Sequence, residues 1–182
     1  MALTLSDIAQ LFARRGGEQY SGEPVTQLAH ALQTAHFAEQ DGADDALVTA
    51  ALLHDLGHLL GDHGDSPTLR GIDDLHQYTA LPFLRGLFAE RVLAPIRLHV
   101  QAKRWLCASR AGYHAQLSAD SQRSLLLQGG VFTPAQAQGF MAQAHAADAV
   151  RLRLWDDMAK QPALTTPPLS HYLARATACV QA

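Results

Sequence analysis

Apolar residues recur along this chain at intervals of three and four, the period of an α-helix. The first such stripe runs from Leu5 to Phe12 and ends at the pair Gly16 and Gly17. Seven further stretches with this period predict helices at about residues 26–42, 44–58, 75–84, 95–108, 118–127, 134–155 (with a break) and 170–180. No segment shows the sustained alternation that is typical of a strand. The pattern predicts an all-α bundle of seven to nine helices.

Proline and glycine mark the predicted boundaries. Pro95 and Pro134 suit the first turn of a helix, where a missing N–H is not needed. The stretch from Gly61 to Gly71 is rich in Gly, Asp, Ser and Pro and predicts a loop. Pro167 and Pro168 separate the last helix from the rest. With no repeat or long linker, we expect a single domain over residues 1–182.

Composition narrows the possible classes of protein. A chain of 182 residues with 48% hydrophobic and 17% charged content suits one globular domain. Its apolar runs are too short to span a membrane. The net charge of −3, without a basic block, argues against nucleic-acid binding. The N-terminus lacks secretory features, and Cys107 and Cys179 match no CxxC pattern, so we expect a cytoplasmic protein.

The strongest chemical signal is the pair His54-Asp55, which ends the most apolar predicted helix, with His58 one turn later. An isolated pair of this kind usually caps a solvated helix end. Asp55, however, follows a run of Ala and Leu, where an unpaired carboxylate would be costly unless it met a cation. An adjacent imidazole and carboxylate can ligate one metal, and the carboxylate can bridge two. This pair therefore indicates a metal site.

Further candidate ligands lie on other predicted helices. His30, His76 and His99 each flank apolar positions, and Asp156 directly follows Trp155. Taken singly, each histidine is explained as well by a hydrogen-bonded core or surface residue, and Asp156 by a surface carboxylate. Their order along the chain, H…HD…H…H…D, resembles that of the HD-domain metalloprotein superfamily over residues 20 to 165.

The resemblance implies an HD-domain helical bundle with two metal sites. His30, His54, Asp55 and Asp156 would form the first site. His76 and His99 would complete the second, with Asp55 bridging the two metals.

A closer resemblance is to the organophosphonate-cleaving di-iron oxygenases of the PhnZ and TmpB type. It implies two iron ions in a mixed-valent Fe(II)/Fe(III) centre, with O2 as co-substrate. The substrate would be a 1-hydroxyalkylphosphonate with a 2-amino or 2-trimethylammonio group, cleaved to phosphate and a carboxylic acid. An upstream 2-oxoglutarate-dependent hydroxylase would be a functional partner. The segments that carry the resemblance are Tyr20-Ser21-Gly22-Glu23, Gln27-Leu28-Ala29-His30, Gly42-Ala43-Asp44-Asp45, HDLGH at 54–58, His99 to Arg104, Gln128-Gly129-Gly130, Trp155-Asp156 and Lys160-Gln161.

The same resemblance assigns residues around the metals. Lys103, four residues after His99 and thus on the same helix face, would neutralise the phosphonate. Ser121 and Gln128 would contact the substrate, although each also suits an ordinary helix end. His58 would donate to the phosphonate or to a bound intermediate, or simply cap its helix.

Two residues before His30 complete the assignment. Tyr20 would occupy the oxygen-binding metal until substrate arrives. Glu23 would bind the cationic end of the substrate, since a carboxylate and an ammonium attract each other. Without the resemblance, a core tyrosine and a turn glutamate explain them equally well.

Two other functions remain open. The first is a metal-dependent phosphohydrolase acting on a phosphomonoester or nucleotide, because this fold does not fix the reaction. The second is a degenerate HD domain that only binds a ligand, against which the six candidate ligands argue.

Overall fold

The computed structural model describes residues 2–20, 22–61 and 67–181, and the regular elements in these ranges are helices joined by turns and loops. No strand forms among them, apart from isolated bridges of Gln19 with Thr26 and Phe88 with Val180. The prediction of an all-α single domain is confirmed. The helices are α1 (Leu5–Arg15), α2 (Gln27–Gln40), α3 (Asp45–Leu53), α4 (Leu56–Leu60), α5 (His76–Thr79), α6 (Leu81–Leu84), α7 (Glu90–Ser109), α8 (Tyr113–Gln116), α9 (Ala119–Leu127), α10 (Pro134–Met141), α11 (Ala146–Met158) and α12 (Leu169–Thr177), with a 3-10 turn at Pro67–Arg70.

Helix α3 forms the centre of the core. Every residue from Ala46 to Leu53 is buried, as expected of a helix that is apolar on all sides. Helices α2, α7, α11 and α12 pack around it. The end of α3 therefore delivers the residues that follow it, His54 and Asp55, into the interior of the bundle.

Several helices begin directly after a residue whose side chain caps the helix N-terminus. The hydroxyls of Thr26, Ser118 and Thr133 and the carboxylate of Asp44 each accept a backbone N–H of the first turn. Pro134 occupies the first turn of α10, as expected.

Two predicted helices are broken in the structure. The predicted helix 44–58 divides into α3 and α4, because Asp55 leaves the helical conformation (φ −103°, ψ 12°). The predicted helix 75–84 divides into α5 and α6. Pro82 has no N–H to offer the carbonyl of Tyr78, so a continuous helix would lose a hydrogen bond there.

The expected start at Pro95 is wrong, because α7 begins at Glu90 and contains Pro95 in its interior. The carbonyl that loses its partner belongs to Arg91, which is exposed and can bind water instead. Part of the predicted loop, residues 62–66, lies outside the described residues. Among the described helices, none is long and apolar enough to cross a membrane.

Candidate metal centre

Six buried side chains from five parts of the fold meet at one place. They are the residues that the sequence predicted as ligands: His30 of α2, His54 and Asp55 after α3, His76 at the start of α5, His99 of α7 and Asp156 of α11. Each is at most 8% exposed, although all six are polar or charged. Buried groups of this kind are tolerated only when they are paired or coordinate a metal.

Three of these side chains converge on one point. The Nε2 atoms of His30 and His54 are 3.2 Å apart. The Oδ1 atom of Asp156 lies 3.3 Å from the first and 3.9 Å from the second. This separation is that of donor atoms that share one metal ion.

Asp55 joins this group to a second one. Its Oδ2 lies 3.5 Å from His30 Nε2 and 3.3 Å from His54 Nε2. Its Oδ1 faces the other way, 3.4 Å from His76 Nε2 and 3.6 Å from His99 Nε2. Those two nitrogens are 3.1 Å apart. One carboxylate thus offers one oxygen to each group, which is the arrangement of a ligand that bridges two metals.

All four imidazoles are oriented by hydrogen bonds on the far side of the ring. The Nδ1 atoms of His30, His54 and His99 lie 2.7–2.8 Å from the backbone carbonyls of Ala159, Ala51 and Ile96. His76 Nδ1 lies 2.8 Å from a carboxylate oxygen of Asp74. When Nδ1 donates its proton to such an oxygen, Nε2 presents a lone pair toward the centre, as a metal requires.

The donor set fits a pair of divalent or trivalent metal ions. Four imidazoles and two carboxylates leave coordination positions free on both metals for further ligands. Asp55 Oδ1 is buried and has no hydrogen-bond donor, so a cation between it and the two imidazoles would satisfy it. The negative charge of Asp55 is stabilised by the surrounding histidines, which hold its pKa well below the usual range despite burial.

Asp74 is a functional candidate that sequence reasoning missed. Its two oxygens contact His76 Nδ1 at 2.8 Å and His58 Nδ1 at 2.6 Å. Although burial opposes ionisation, these imidazoles lower the pKa of the carboxyl. Because the Nδ1 contact leaves His76 Nε2 free to face Asp55, we assign Asp74 to orienting the rings rather than to a third metal site. The feature of the sequence that could have indicated this role is the position of Asp74, two residues before His76.

Arg153 was also missed, because an arginine among apolar residues of α11 gives no metal signal. It is 5% exposed, and its guanidinium lies 2.9 Å from Asp156 Oδ2. Asp157 pairs with the same guanidinium. The positive charge of the arginine keeps the pKa of Asp156 well below its usual range. Because the arginine contacts Oδ2, Oδ1 remains directed at the imidazole of His30.

Tyr20 lies directly on the centre. Its hydroxyl donates to Asp55 Oδ2 at 2.9 Å, and its ring stacks on His30 with 3.9 Å between ring centroids. Burial and the negative charge of Asp55 raise the pKa of this phenol well above its usual value. The tyrosine is therefore a neutral hydrogen-bond donor here.

A cavity of about 60 Å³ opens onto the metal donors. Four residues with predicted substrate contacts line it: His58, Lys103, Ser121 and Gln128. The Oε1 atom of Gln128 is buried and has no hydrogen-bond partner. These side chains would offer hydrogen bonds and positive charge to an anion beside the metals.

Lys103 is a buried amine that lines this cavity together with Arg153. It is only 2% exposed, and its Nζ donates to Ser124 Oγ at 2.7 Å. Burial, together with the positive charge of Arg153, lowers the pKa of Lys103 to about 7. His58 behaves oppositely: although burial opposes protonation, Asp55 and Asp74 raise its pKa. Lys103 can therefore change protonation near neutral pH.

Glu23 is buried beside the centre but is not a free carboxylate. Its Oε1 lies 2.7 Å from Nζ of Lys160, a residue to which the sequence assigned no role. The segment of Lys160 and Gln161 carried part of the family resemblance, and this could have indicated that Lys160 lies near the site.

Several known proteins are similar to this chain in sequence. A family model described as the HD domain matches residues 27–127. A hydroxymethylphosphonate dioxygenase of Gimesia maris is 42% identical over 91% of the chain and 83% of its own length. The glycine-betaine-forming 1-hydroxy-2-(trimethylamino)ethylphosphonate dioxygenase of Leisingera caerulea is 35% identical over 91% of the chain and 84% of its length. An uncharacterised mimivirus protein from Acanthamoeba polyphaga mimivirus is 30% identical over 92% of the chain.

Proposed function

Because the chain belongs to the HD-domain family, in the branch that contains phosphonate dioxygenases, we propose that it is an O2-dependent enzyme that cleaves a C–P bond. Its substrate is a 1-hydroxyalkylphosphonate, and its products are phosphate and a carboxylic acid. Both atoms of O2 enter the products, one on carbon and one on phosphorus, so the reaction needs no external reductant. The names of both dioxygenase relatives agree with this reaction, and the second agrees with a 2-trimethylammonio substituent.

The observation that carries the proposal is the orientation of Asp55. Each of its oxygens faces a different group of donor atoms, and the cavity with Lys103 opens beside both groups. A dinuclear centre next to a buried cation suits an anionic substrate that must also react with O2. The HD fold alone fits a phosphohydrolase as well, but the relatives' names favour oxidation.

We propose that the metals are two iron ions in a mixed-valent state. His30, His54 and Asp156 would hold one, His76 and His99 the other, and Asp55 both. When bound, iron supplies redox chemistry, which suits a C–P bond because hydrolysis of such a bond has no good leaving group.

The surrounding residues bind and orient the substrate. The ammonium of Lys103 would pair with the phosphonate oxygens, with hydrogen bonds from Ser121 and Gln128. His58, held by Asp74, would donate a proton to the phosphonate or its product. Tyr20, whose hydroxyl bonds Asp55, would cover the centre until a substrate displaces it.

Further properties follow from this proposal. The 1-hydroxyl of the substrate must be installed first, and a 2-oxoglutarate-dependent hydroxylase is the class of enzyme that would supply it. We propose that the domain spans residues 1–182, with a metal-binding core at about 20–165, because Tyr20 and Asp156 lie outside the 27–127 match. Both cysteines are free, which suits the expected cytoplasmic location.

The test is metal analysis of anaerobically purified protein, with electron paramagnetic resonance spectra before and after adding hydroxymethylphosphonate. About two irons per chain, a mixed-valent signal that changes with substrate, and O2-dependent release of phosphate are expected. Manganese, magnesium or zinc, no such signal, and hydrolysis of phosphomonoesters without O2 would replace the proposal with the phosphohydrolase function. The Asp55→Ala variant serves as the inactive control for either activity.

A further inference from the structure

A series of buried polar contacts leads away from the first group of metal donors. Arg153 of α11, which is 5% exposed, lies in the middle of the series. One terminal nitrogen of its guanidinium lies 2.9 Å from Asp156 Oδ2, and the other pairs with Asp157 Oδ1. Its Nε donates to the hydroxyl of Tyr113 at 3.3 Å. Each of the three nitrogens therefore has an oxygen partner of its own.

Tyr113 and Asp157 close these contacts into a ring around the guanidinium. The Tyr113 hydroxyl accepts from Arg153 Nε and donates to Asp157 Oδ2, while the other oxygen of Asp157 pairs with the guanidinium. Burial raises the pKa of Tyr113, so its hydroxyl keeps the proton that it donates. Because Tyr113 belongs to α8 and the other two residues to α11, the ring joins two helices that are distant in sequence.

The ring determines which oxygen of Asp156 faces the first group of donors. Asp156 Oδ2 contacts the guanidinium, whereas Oδ1 lies 3.3 Å from His30 Nε2. A carboxylate whose second oxygen is held in this way offers a metal one oxygen instead of two. The first group then supplies one atom from each of its four side chains, so an octahedral ion would keep positions open for other ligands.

We propose that Tyr113 and Asp157 are positioning residues of the metal centre, which hold the Arg153 guanidinium so that Asp156 presents a single oxygen to the first metal. Both act through Arg153, because their hydrogen bonds are made to that guanidinium and to each other. The inference rests on the two-metal centre of the proposed function, but not on the reaction that this centre catalyses.

Loss of the Tyr113 hydroxyl should change the position of the guanidinium. Arg153 Nε would lose its acceptor and Asp157 Oδ2 its donor, and both are costly to leave unpaired in the interior. Two neighbouring nitrogens of an arginine bind both oxygens of a carboxylate in a favoured side-by-side arrangement. Movement of Arg153 into this arrangement with Asp157 would release Asp156 Oδ2 and with it the fixed orientation of the metal ligand.

The test measures Mn(II) binding to Tyr113→Phe by electron paramagnetic resonance, which detects the free ion. Mn(II) suits imidazole and carboxylate donors, so the measurement is independent of O2 and of turnover. In a His99→Ala protein, whose first group is complete, adding Tyr113→Phe should weaken Mn(II) binding about 10-fold or more, as loss of outer contacts to a ligand typically does. The spectrum of the bound ion should change as well.

The same substitution in an Asp156→Ala protein separates positioning from a general loss of structure. This protein retains the second group but lacks the ligand that Tyr113 is proposed to orient. Adding Tyr113→Phe should therefore leave its Mn(II) affinity unchanged, whereas a residue that merely stabilised the fold would affect both groups. Asp157→Asn should reproduce both results, and it tests the inference if Tyr113→Phe does not fold.

Two variants serve as matched controls in the His99→Ala protein. Tyr172→Phe also removes a buried hydroxyl, but that hydroxyl has no hydrogen-bond partner in the described part of the chain. Asp148→Asn also neutralises a carboxylate of α11, but one that contacts His145. Neither should change Mn(II) affinity.

Two results would overturn the inference. One is a first-group affinity that neither Tyr113→Phe nor Asp157→Asn changes, and the other is an equal loss in the Asp156→Ala protein. The proposed function fails by a different result. If the metals bind as expected but no phosphonate is cleaved, the reaction is wrong and the positioning role stands.

Discussion

The backbone carbonyl of His76 lies directly against Gly57, where a β-carbon would overlap it. Gly57 lies in the first turn of α4, two residues after Asp55, and His76 begins α5. This close approach brings the His76 imidazole within 3.4 Å of Asp55 Oδ1. The glycine of the HDLGH segment therefore sets the spacing of the second donor group.

We expect Gly57→Ala to push α4 and α5 apart, because the obstructing atoms belong to the backbone and cannot rotate away. The strain should lower the free energy of unfolding by about 1–3 kcal/mol. It should also lower metal occupancy at the second group, through displacement of His76. Thermal unfolding and metal analysis of the same preparation measure the two effects.

Gly139→Ala is the matched control for this substitution. Gly139 lies within α10, and a β-carbon there would contact nothing within 4 Å. Alanine should therefore stabilise the helix by about 0.5–1 kcal/mol and leave the metal content unchanged. An equally stable Gly57→Ala protein with full metal content would contradict the assigned role of Gly57.

Asp55→Ala should abolish binding of both metals, because the two oxygens of this carboxylate face different donor groups. Asp156→Ala should weaken only the first group, and His99→Ala only the second. Metal content per chain, measured on anaerobically purified protein, distinguishes the three variants. Two metals retained by Asp55→Ala would show that this residue bridges nothing.

Asp74→Asn tests the orientation of His76 and His58. The amide keeps the shape of the side chain but loses the charge that its two imidazole partners attract. Loss of such an outer contact typically weakens metal affinity about 10- to 100-fold. We therefore expect a chelator to remove one metal far more readily from Asp74→Asn than from the wild type, whereas the neighbouring control Asp73→Asn should behave like the wild type.

The sequence was sufficient for the all-α fold and for the donor residues that the structure brings together, for identifiable physical reasons. A helix apolar on all sides must be buried, so the residues after Leu53 had to enter the core. Polar His54 and Asp55 at that point required a cation. The order of the remaining histidines then matched a known pattern.

The parts that the sequence did not predict depend on contacts between distant segments. Arg153 belongs to the site only because α11 turns it toward Asp156 and Asp157. The partner of Glu23 is 137 positions away, so its neutralisation by Lys160 could not be inferred from local spacing. The break after α3 was missed because nothing in its apolar composition marks Asp55 as non-helical.

Lys103 should destabilise the folded protein relative to an apolar residue of similar length. Burial lowers its pKa from 10.5 to about 7, so between these values the unfolded chain binds a proton that the folded protein has released. Stability attributable to this residue therefore rises with pH from about 7 to 10.5. We expect Lys103→Met to unfold at a higher temperature than the wild type, most clearly at pH 7 and below, in thermal unfolding followed by circular dichroism.

The same pKa predicts how phosphonate binding depends on pH. Below about pH 7 the ammonium of Lys103 is charged and attracts the phosphonate, whereas above it the neutral amine does not. KM should therefore rise as the pH increases from 7 to 9. In Lys103→Arg the guanidinium stays charged over this range, so its KM should rise much less. Because both proteins meet the same substrate, its own ionisation cancels from the comparison, and parallel KM profiles would exclude Lys103 as the titrating group.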